Sequence, residues 1–234
     1  MGTPAKTPGP TGLTAGFYKK FHKRVAPLLT KIANRAMKEG TLPHSFLQTI
    51  IVTIPKKGKP LGPVKNVRPI SLLEIHRKII TRAANNRLKN LFKKNQKLIE
   101  MEQACHPKRN IEDNLATLNL ISIISNLKKE KNNNKVILLD FEKAFDRVDH
   151  QYILDCLKAK GFGPLFRNFI KSNLRSIARI QIGNSLSKKF ITGRGVPQGD
   201  VLSPLLFLLA INPLIVNIKK DKFIKGIKIG KQTY

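Results

Sequence analysis

The 234 residues carry 41% apolar and 25% charged side chains, a balance that can bury a core and that excludes an intrinsically disordered tail. The charge is lopsided, because 44 Lys and Arg against 14 Asp and Glu give a formal +30. A polyanion is the economical partner for such an excess, since each phosphate contact releases counterions, whereas an anionic membrane surface or plain solubility leaves it unexplained. Cys105 and Cys156 lie far apart with no paired spacing, which excludes a zinc site or disulfide framework and points to reduced thiols inside a cell.

Residues 1–10 are polar and proline-rich with no apolar stretch behind a basic start, so no cleavable signal is expected. Phe17, Phe21, Leu28, Ile32 and Ala36 recur at helical spacing; Gly40 is the stop and Pro27 the expected break. Residues 49–54 predict a β-branched strand that runs into Lys56, Lys57, Gly58, Lys59, Pro60 and Gly62, and the chain returns through residues 66–71. Two strands with a basic tip make a finger that can fold over a phosphate. A basic helix is predicted over residues 72–94, with Ile75, Ile79, Ala83 and Leu88 on one side. Its Arg77, Lys78, Arg82, Arg87 and Lys89 suit either a nucleic-acid backbone or a solvated face.

The run Val136, Ile137, Leu138, Leu139 predicts a buried strand that ends on the carboxylate of Asp140. A strand-end carboxylate can hold a hard divalent ion such as Mg²⁺ without disturbing the core; alternatively Asp140 caps the following turn, and Asp146 or Asp149 pairs with Lys or Arg. Helical patterns through Tyr152, Ile153, Leu157, Phe162, Leu165, Phe169 and Ile170 break at Gly161 and Gly163. A strand over residues 177–182 turns at Gly183 and Asn184 into Phe190 and Ile191, a predicted hairpin. Next comes the string Gly195, Val196, Pro197, Gln198, Gly199, Asp200. Asp200 is the expected cap of a helix that starts near Ser203 and Pro204. Residues 201–218 are nearly continuous apolar sequence of spanning length, but Pro204, Asn212, Pro213 and Asn217 interrupt them, so a buried helix is expected and not a membrane span.

The chain resembles the reverse transcriptase domain of a non-LTR, LINE-type retrotransposon. The resemblance rests on eight strings in one order. They are Pro8-Gly9-Pro10-Thr11-Gly12-Leu13-Thr14-Ala15-Gly16-Phe17-Tyr18, then Leu42-Pro43, Ile54-Pro55-Lys56-Lys57-Gly58 and Asn66-Val67-Arg68-Pro69-Ile70-Ser71-Leu72-Leu73. Lys78-Ile79 with Asn86-Arg87-Leu88 and Asp113-Asn114 follow, and the segments around Asp140 and Gln198 complete the order. What this implies is an α+β, right-hand polymerase fold with an antiparallel palm sheet backed by helices: an N-terminal extension (residues 1–12), fingers and their connection (13–134) and a partial palm (135–234). It also implies an RNA-directed DNA polymerase in which a primer 3′-hydroxyl attacks the α-phosphate of a dNTP and releases pyrophosphate. Two Mg²⁺ ions, an RNA template and a DNA primer belong to that expectation, as does an intracellular, cytoplasmic or nuclear address without a membrane.

By the same resemblance, Asp140 is catalytic and binds metal together with the Phe141 carbonyl, while Lys56 and Arg68 hold the triphosphate. Phe145 lies beneath the sugar and leaves no room for a 2′-hydroxyl, so the product is DNA. Gln198 and Gly199 meet the nascent base pair; Arg77, Lys78, Arg82, Arg87 and Arg109 touch nucleic acid. Two departures stand out. Ala104, Cys105, His106, Pro107 and Lys108 replace the family's glycines and aromatic, which puts template handling in doubt. No Asp-Asp pair occurs in the sequence, so these residues are expected to be a fingers-plus-partial-palm fragment or an eroded remnant, with little polymerase activity alone. The alternative expectation is a non-catalytic basic RNA- or DNA-binding remnant.

Overall fold

Local capping sets the first helices. The computed structural model describes residues 7–60, 62–95 and 139–224, with positions 98, 112, 115, 116, 118–120, 122, 123, 137, 228, 229, 232 and 233 besides. The Thr14 hydroxyl accepts from the Phe17 N–H at the start of α1 (Ala15–Lys20). The chain breaks at Phe21, and α2 (His22–Glu39) ends at Gly40, whose left-handed φ of 70° closes it as expected. The break expected at Pro27 does not occur. That proline lies within α2 at an exposed position, where water can serve the carbonyl left without an N–H. Tyr18, Leu29 and Ala36 are buried while Phe17, Phe21 and Leu28 are exposed, so the inward face is rotated from the predicted series.

A short helix, α3 (His44–Leu47), buries Phe46 and leads into β1 (Gln48–Pro55). β1 pairs antiparallel with β2 (Val67–Leu73), with Ile54 opposite Arg68, and parallel with β3 (Ile177–Ile182). β4 (Ser185–Leu186) and β5 (Phe190–Ile191) both pair antiparallel with β3, which makes the predicted hairpin. The sheet is therefore mixed, not wholly antiparallel as expected. The antiparallel partners follow one another closely in the chain, whereas the long stretch of chain between β1 and β3 supplies the crossover that a parallel pair needs.

β2 absorbs Leu72 and Leu73, so the basic helix α4 starts later than predicted (Ile75–Lys94). Ile80, Ala84, Leu88 and Phe92 are its buried apolar residues, one position on from the predicted Ile75, Ile79 and Ala83. Polar partners account for the rotation, because His76 and Arg77 are drawn inward by the groups described below. Further along, Lys143 adopts a left-handed φ of 54° before the single turn α5 (Ala144–Arg147). The Asp149 carboxylate accepts from the Tyr152 N–H and begins α6 (His150–Ala159), and Pro164 opens α7 (Pro164–Leu174).

The last long helix is α8 (Ser203–Lys220). α2 packs on α7 and α4, while α6 packs on α7 and α8. Leu29, Ala36, Leu88 and Phe92 from the first half join Ile153, Leu157, Phe169, Ile170, Leu205 and Leu209 from the second in one cluster. Each large apolar side chain fully buried there contributes about 1.5–3 kcal/mol. By length and composition α8 could also cross a membrane. In the structure its Leu205, Leu206, Leu208 and Leu209 are buried, and Lys160 Nζ donates to Asn212 Oδ1 at 3.1 Å, which holds the interrupting polar residue inside.

Candidate active site

Three of the sequence motifs meet at one place. The Val196 N–H donates to the Phe145 carbonyl at 2.8 Å, the Gly195 N–H donates to the Val148 carbonyl at 2.8 Å, and the Ser71 N–H donates to the Gln198 carbonyl at 2.8 Å. The segment after Asp140, the Gly195-to-Asp200 turn and β2 are thus bonded backbone to backbone. Glycine is needed at two of these crossings. A Cβ on Gly195 (φ +82°) would stand 2.8 Å from the Asp146 carbonyl oxygen, and one on Gly199 (φ +120°) would stand 2.9 Å from the Ser71 carbonyl oxygen. Downstream, the Asp200 side chain accepts from the Leu202 N–H at 3.1 Å, but it is not the helix cap expected of it: the N-cap of α8 is Leu202, with no side-chain hydrogen bond.

Beside these crossings lies a cavity of about 100 Å³, whose wall includes Thr49, Pro69, Ser71, Asp146, Arg194 and Gln198. Gln198 Nε2 donates to both Asp146 carboxylate oxygens at 3.4 Å. Burial pushes the Asp146 carboxyl above the usual carboxylate range, against the pull of Lys143 and the Gln198 hydrogen bond. From the sequence, pairing with Lys or Arg is only an alternative for Asp146 or Asp149, and the placement of Asp146 against Gln198 requires the tertiary structure. Phe145 is half-buried, with its ring centroid 4.9 Å from that of Phe207.

Asp140 is placed differently from expectation. Ile137 and Leu139 are exposed and lie outside any strand, and Asp140 and Phe141 are exposed as well; Val136 and Leu138 fall outside the described residues. The predicted buried strand is therefore not found at the described positions. No described strand pairs with Ile137 or Leu139. Magnesium is the ion the resemblance implies. Among the described residues no three His, Cys, Asp or Glu side chains come together, so these residues do not by themselves fit a complete Mg²⁺ site.

The finger is present as predicted. β1 and β2 form its two strands, and Lys56, Lys57, Gly58 and Lys59 lie at its tip, where the Lys56 N–H donates to the Asn66 carbonyl at 2.8 Å. Lys56 Nζ donates to the Lys65 carbonyl at 2.8 Å, and Arg68 is exposed. Strand alternation puts Arg68 on the face opposite Pro69 and Ser71, so the sheet does not bring it to Asp146 and Gln198.

Comparison with known proteins decides the family. Residues 54–232, from the finger through the Gln198 turn and α8, match the sequence profile described as reverse transcriptase (RNA-dependent DNA polymerase). The chain belongs to the reverse transcriptase family. It is 36% identical over 92% of its length to the Transposon TX1 uncharacterized 149 kDa protein of Xenopus laevis. It is also 27% identical over 97% to the Retrovirus-related Pol polyprotein from type-2 retrotransposable element R2DM of Drosophila melanogaster, and 29% identical over 87% to the RNA-directed DNA polymerase from mobile element jockey of Drosophila funebris. The chain spans 16%, 20% and 22% of the lengths of these relatives.

One residue assigned to nucleic acid in this reverse transcriptase chain is corrected. Arg77 has no exposed surface; its guanidinium donates to the Asn173 carbonyl, to Ser176 Oγ at 3.0 Å and to the Phe46 carbonyl at 3.5 Å. Burial lowers its pKa against the opposing charge of Asp200, which is itself buried. It ties α3, α4, α7 and β3 together and cannot reach a template. Lys78, Arg82 and Arg87 instead line an apolar cleft of about 1080 Å³ between α1–α2 and α4, with Arg82 and Arg87 exposed. Arg109 lies outside the described residues.

The proline-glycine string near the start also finds a physical reason in the reverse transcriptase fold. Glu74, fully buried, accepts from the Thr11 N–H at 2.8 Å and from the Thr11 hydroxyl at 2.7 Å. A Cβ on Gly9 would stand 2.7 Å from the Glu74 Cα, so the segment can dock there only as glycine. Behind it the Tyr18 hydroxyl meets His76 Nδ1 at 3.0 Å, and burial lowers the His76 pKa although the Glu74 carboxylate opposes the shift. Sequence reasoning had no signal for this buried polar set beyond the string itself.

Proposed function

We propose that these residues form the fingers and part of the palm of an RNA-directed DNA polymerase of a LINE-type retroelement, which extends a primer 3′-hydroxyl with dNTPs on an RNA template. The observation that carries the reading is the bonding of the Phe145 segment, the Gln198 turn and β2 into one frame. In that frame Gln198 and Gly199 face the nascent base pair, Phe145 excludes a 2′-hydroxyl, and Lys56 and Arg68 at the finger hold the triphosphate when the finger closes. Asp140 and the Phe141 carbonyl would hold one side of a metal site. The two-Mg²⁺ chemistry implied for the family needs more carboxylates than the described residues bring together, so the roles supported for this chain are binding and positioning.

The test is dNTP binding and primer extension by the purified chain on an RNA template with a DNA primer. Mg²⁺-dependent dNTP binding that Lys56→Ala and Arg68→Ala each weaken supports the reading, and extension by these 234 residues alone is expected to be slight because they hold no Asp-Asp pair. Robust extension abolished by Asp140→Ala would overturn the expected inactivity. A second reading, a non-catalytic nucleic-acid-binding remnant, is favoured by the exposure of Asp140 and by the lack, among the described residues, of three His, Cys, Asp or Glu side chains that come together. It requires steeply salt-dependent binding with no response to Mg²⁺ or to Asp140→Ala.

A further inference from the structure

We propose that Asp146 is a positioning residue for Gln198, holding its side-chain amide in one orientation toward the nucleotide; the inference rests on the proposed placement of Gln198 in the dNTP site. An ionised carboxylate can only accept, so it selects the Nε2 end of the amide and turns Oε1 away from itself. Without such a partner a glutamine amide is free to flip and to change rotamer. The two contacts, each 3.4 Å, form a symmetric fork: long for single hydrogen bonds, but directed at both oxygens of a half-buried anion.

The backbone on either side of the pair is already fixed. Gly195 presses on the Asp146 backbone, Val196 is bonded to Phe145, and Ser71 is bonded to the Gln198 carbonyl. The side-chain torsions of Gln198 are therefore the freedom left, and Asp146 removes it. If the amide occupies its competent orientation only a fraction of the time, apparent affinity falls by that fraction; about one-tenth occupancy gives about a tenfold loss. Lys143, which precedes α5, also acts on the Asp146 carboxylate, and Arg194 lines the same cavity.

The experiment uses the purified chain bound to an RNA–DNA hybrid, with two readouts: the ¹H–¹⁵N signals of the Gln198 side-chain amide, and equilibrium binding of a dNTP in Mg²⁺. Asp146→Ala is expected to move the amide signals to those of a free glutamine and to weaken dNTP binding about tenfold, whereas Asp146→Asn, which still offers an acceptor and preserves packing, restores most of both. The double variant Asp146→Ala/Gln198→Ala should bind dNTP no more weakly than Gln198→Ala alone. Unchanged Gln198 signals in Asp146→Ala, or an Asp146→Ala loss that adds in full to that of Gln198→Ala, overturns the proposal, the latter in favour of an action through Lys143 or Arg194. A wild-type chain whose Gln198 signals respond to Asp146→Ala but which binds no dNTP supports the pairing and sinks the nucleotide-site reading alone.

Discussion

A guanidinium with no exposed surface has to be met by acceptors wherever it points, because an unpaired buried charge is among the most destabilising features a fold can hold. Arg77 meets most of that demand with the Asn173 and Phe46 carbonyls, the Ser176 hydroxyl and the nearby charge of Asp200, while its Nε has no partner among the described residues. Removing it leaves the buried Asn173 and Phe46 carbonyls and the Ser176 hydroxyl without that donor and takes away the charge opposite buried Asp200. Arg77→Met should therefore destabilise the fold by about 3–5 kcal/mol. Arg82→Met, at an exposed position on the same helix, should stay within about 0.5 kcal/mol of wild type. Urea denaturation of both variants checks the contrast, and equal losses would show that Arg77 is not the tie between α4 and the second half of the chain. Burial of this kind was not legible in the sequence, where Arg77 and Arg82 look alike. What separates them is the set of acceptors that residues 46, 173, 176 and 200 bring from distant parts of the chain.

Elements were legible where local chemistry decides them and misread where distant partners do. The β1–β2 finger, the hairpin after Gly183 and the stop at Gly40 follow from β-branched runs and turn residues, and all are present. The faces of α1 and α4 are rotated from the apolar spacing, because that spacing cannot register that Tyr18, His76 and Arg77 have polar partners inside. The parallel pairing of β1 with β3 is non-local and left no trace in either strand. Gln198 and Gly199 are legible as a motif, whereas Asp146 is not, because only tertiary contact brings it to Gln198. Pro27 is a residual local conflict within α2, since it removes one helical hydrogen bond at an exposed position. Pro27→Ala should raise stability by about 1–3 kcal/mol, read as a higher midpoint in thermal unfolding. An unchanged or lower midpoint would mean that the proline stabilises α2 by restricting the unfolded chain.

For the molecule as a whole, a net charge of +30 makes any affinity for RNA salt-dependent, so affinity alone says nothing about where an RNA lies. The slope of log affinity against log salt is more informative when it is compared between matched variants. Each phosphate contact on a single strand contributes about 0.7 to that slope. If α4 carries nucleic acid along its cleft face, the triple variant Lys78→Gln/Arg82→Gln/Arg87→Gln should reduce the slope by about 2. Lys171→Gln/Lys188→Gln/Lys189→Gln removes the same charge from exposed positions on α7 and beyond β4, away from that cleft, and should leave the slope nearly unchanged. Equal reductions would instead mean that RNA is held by the diffuse field of the whole surface. A selective reduction by the α4 triple would place the RNA backbone on the cleft that adjoins Gly199, the residue whose turn also carries Gln198.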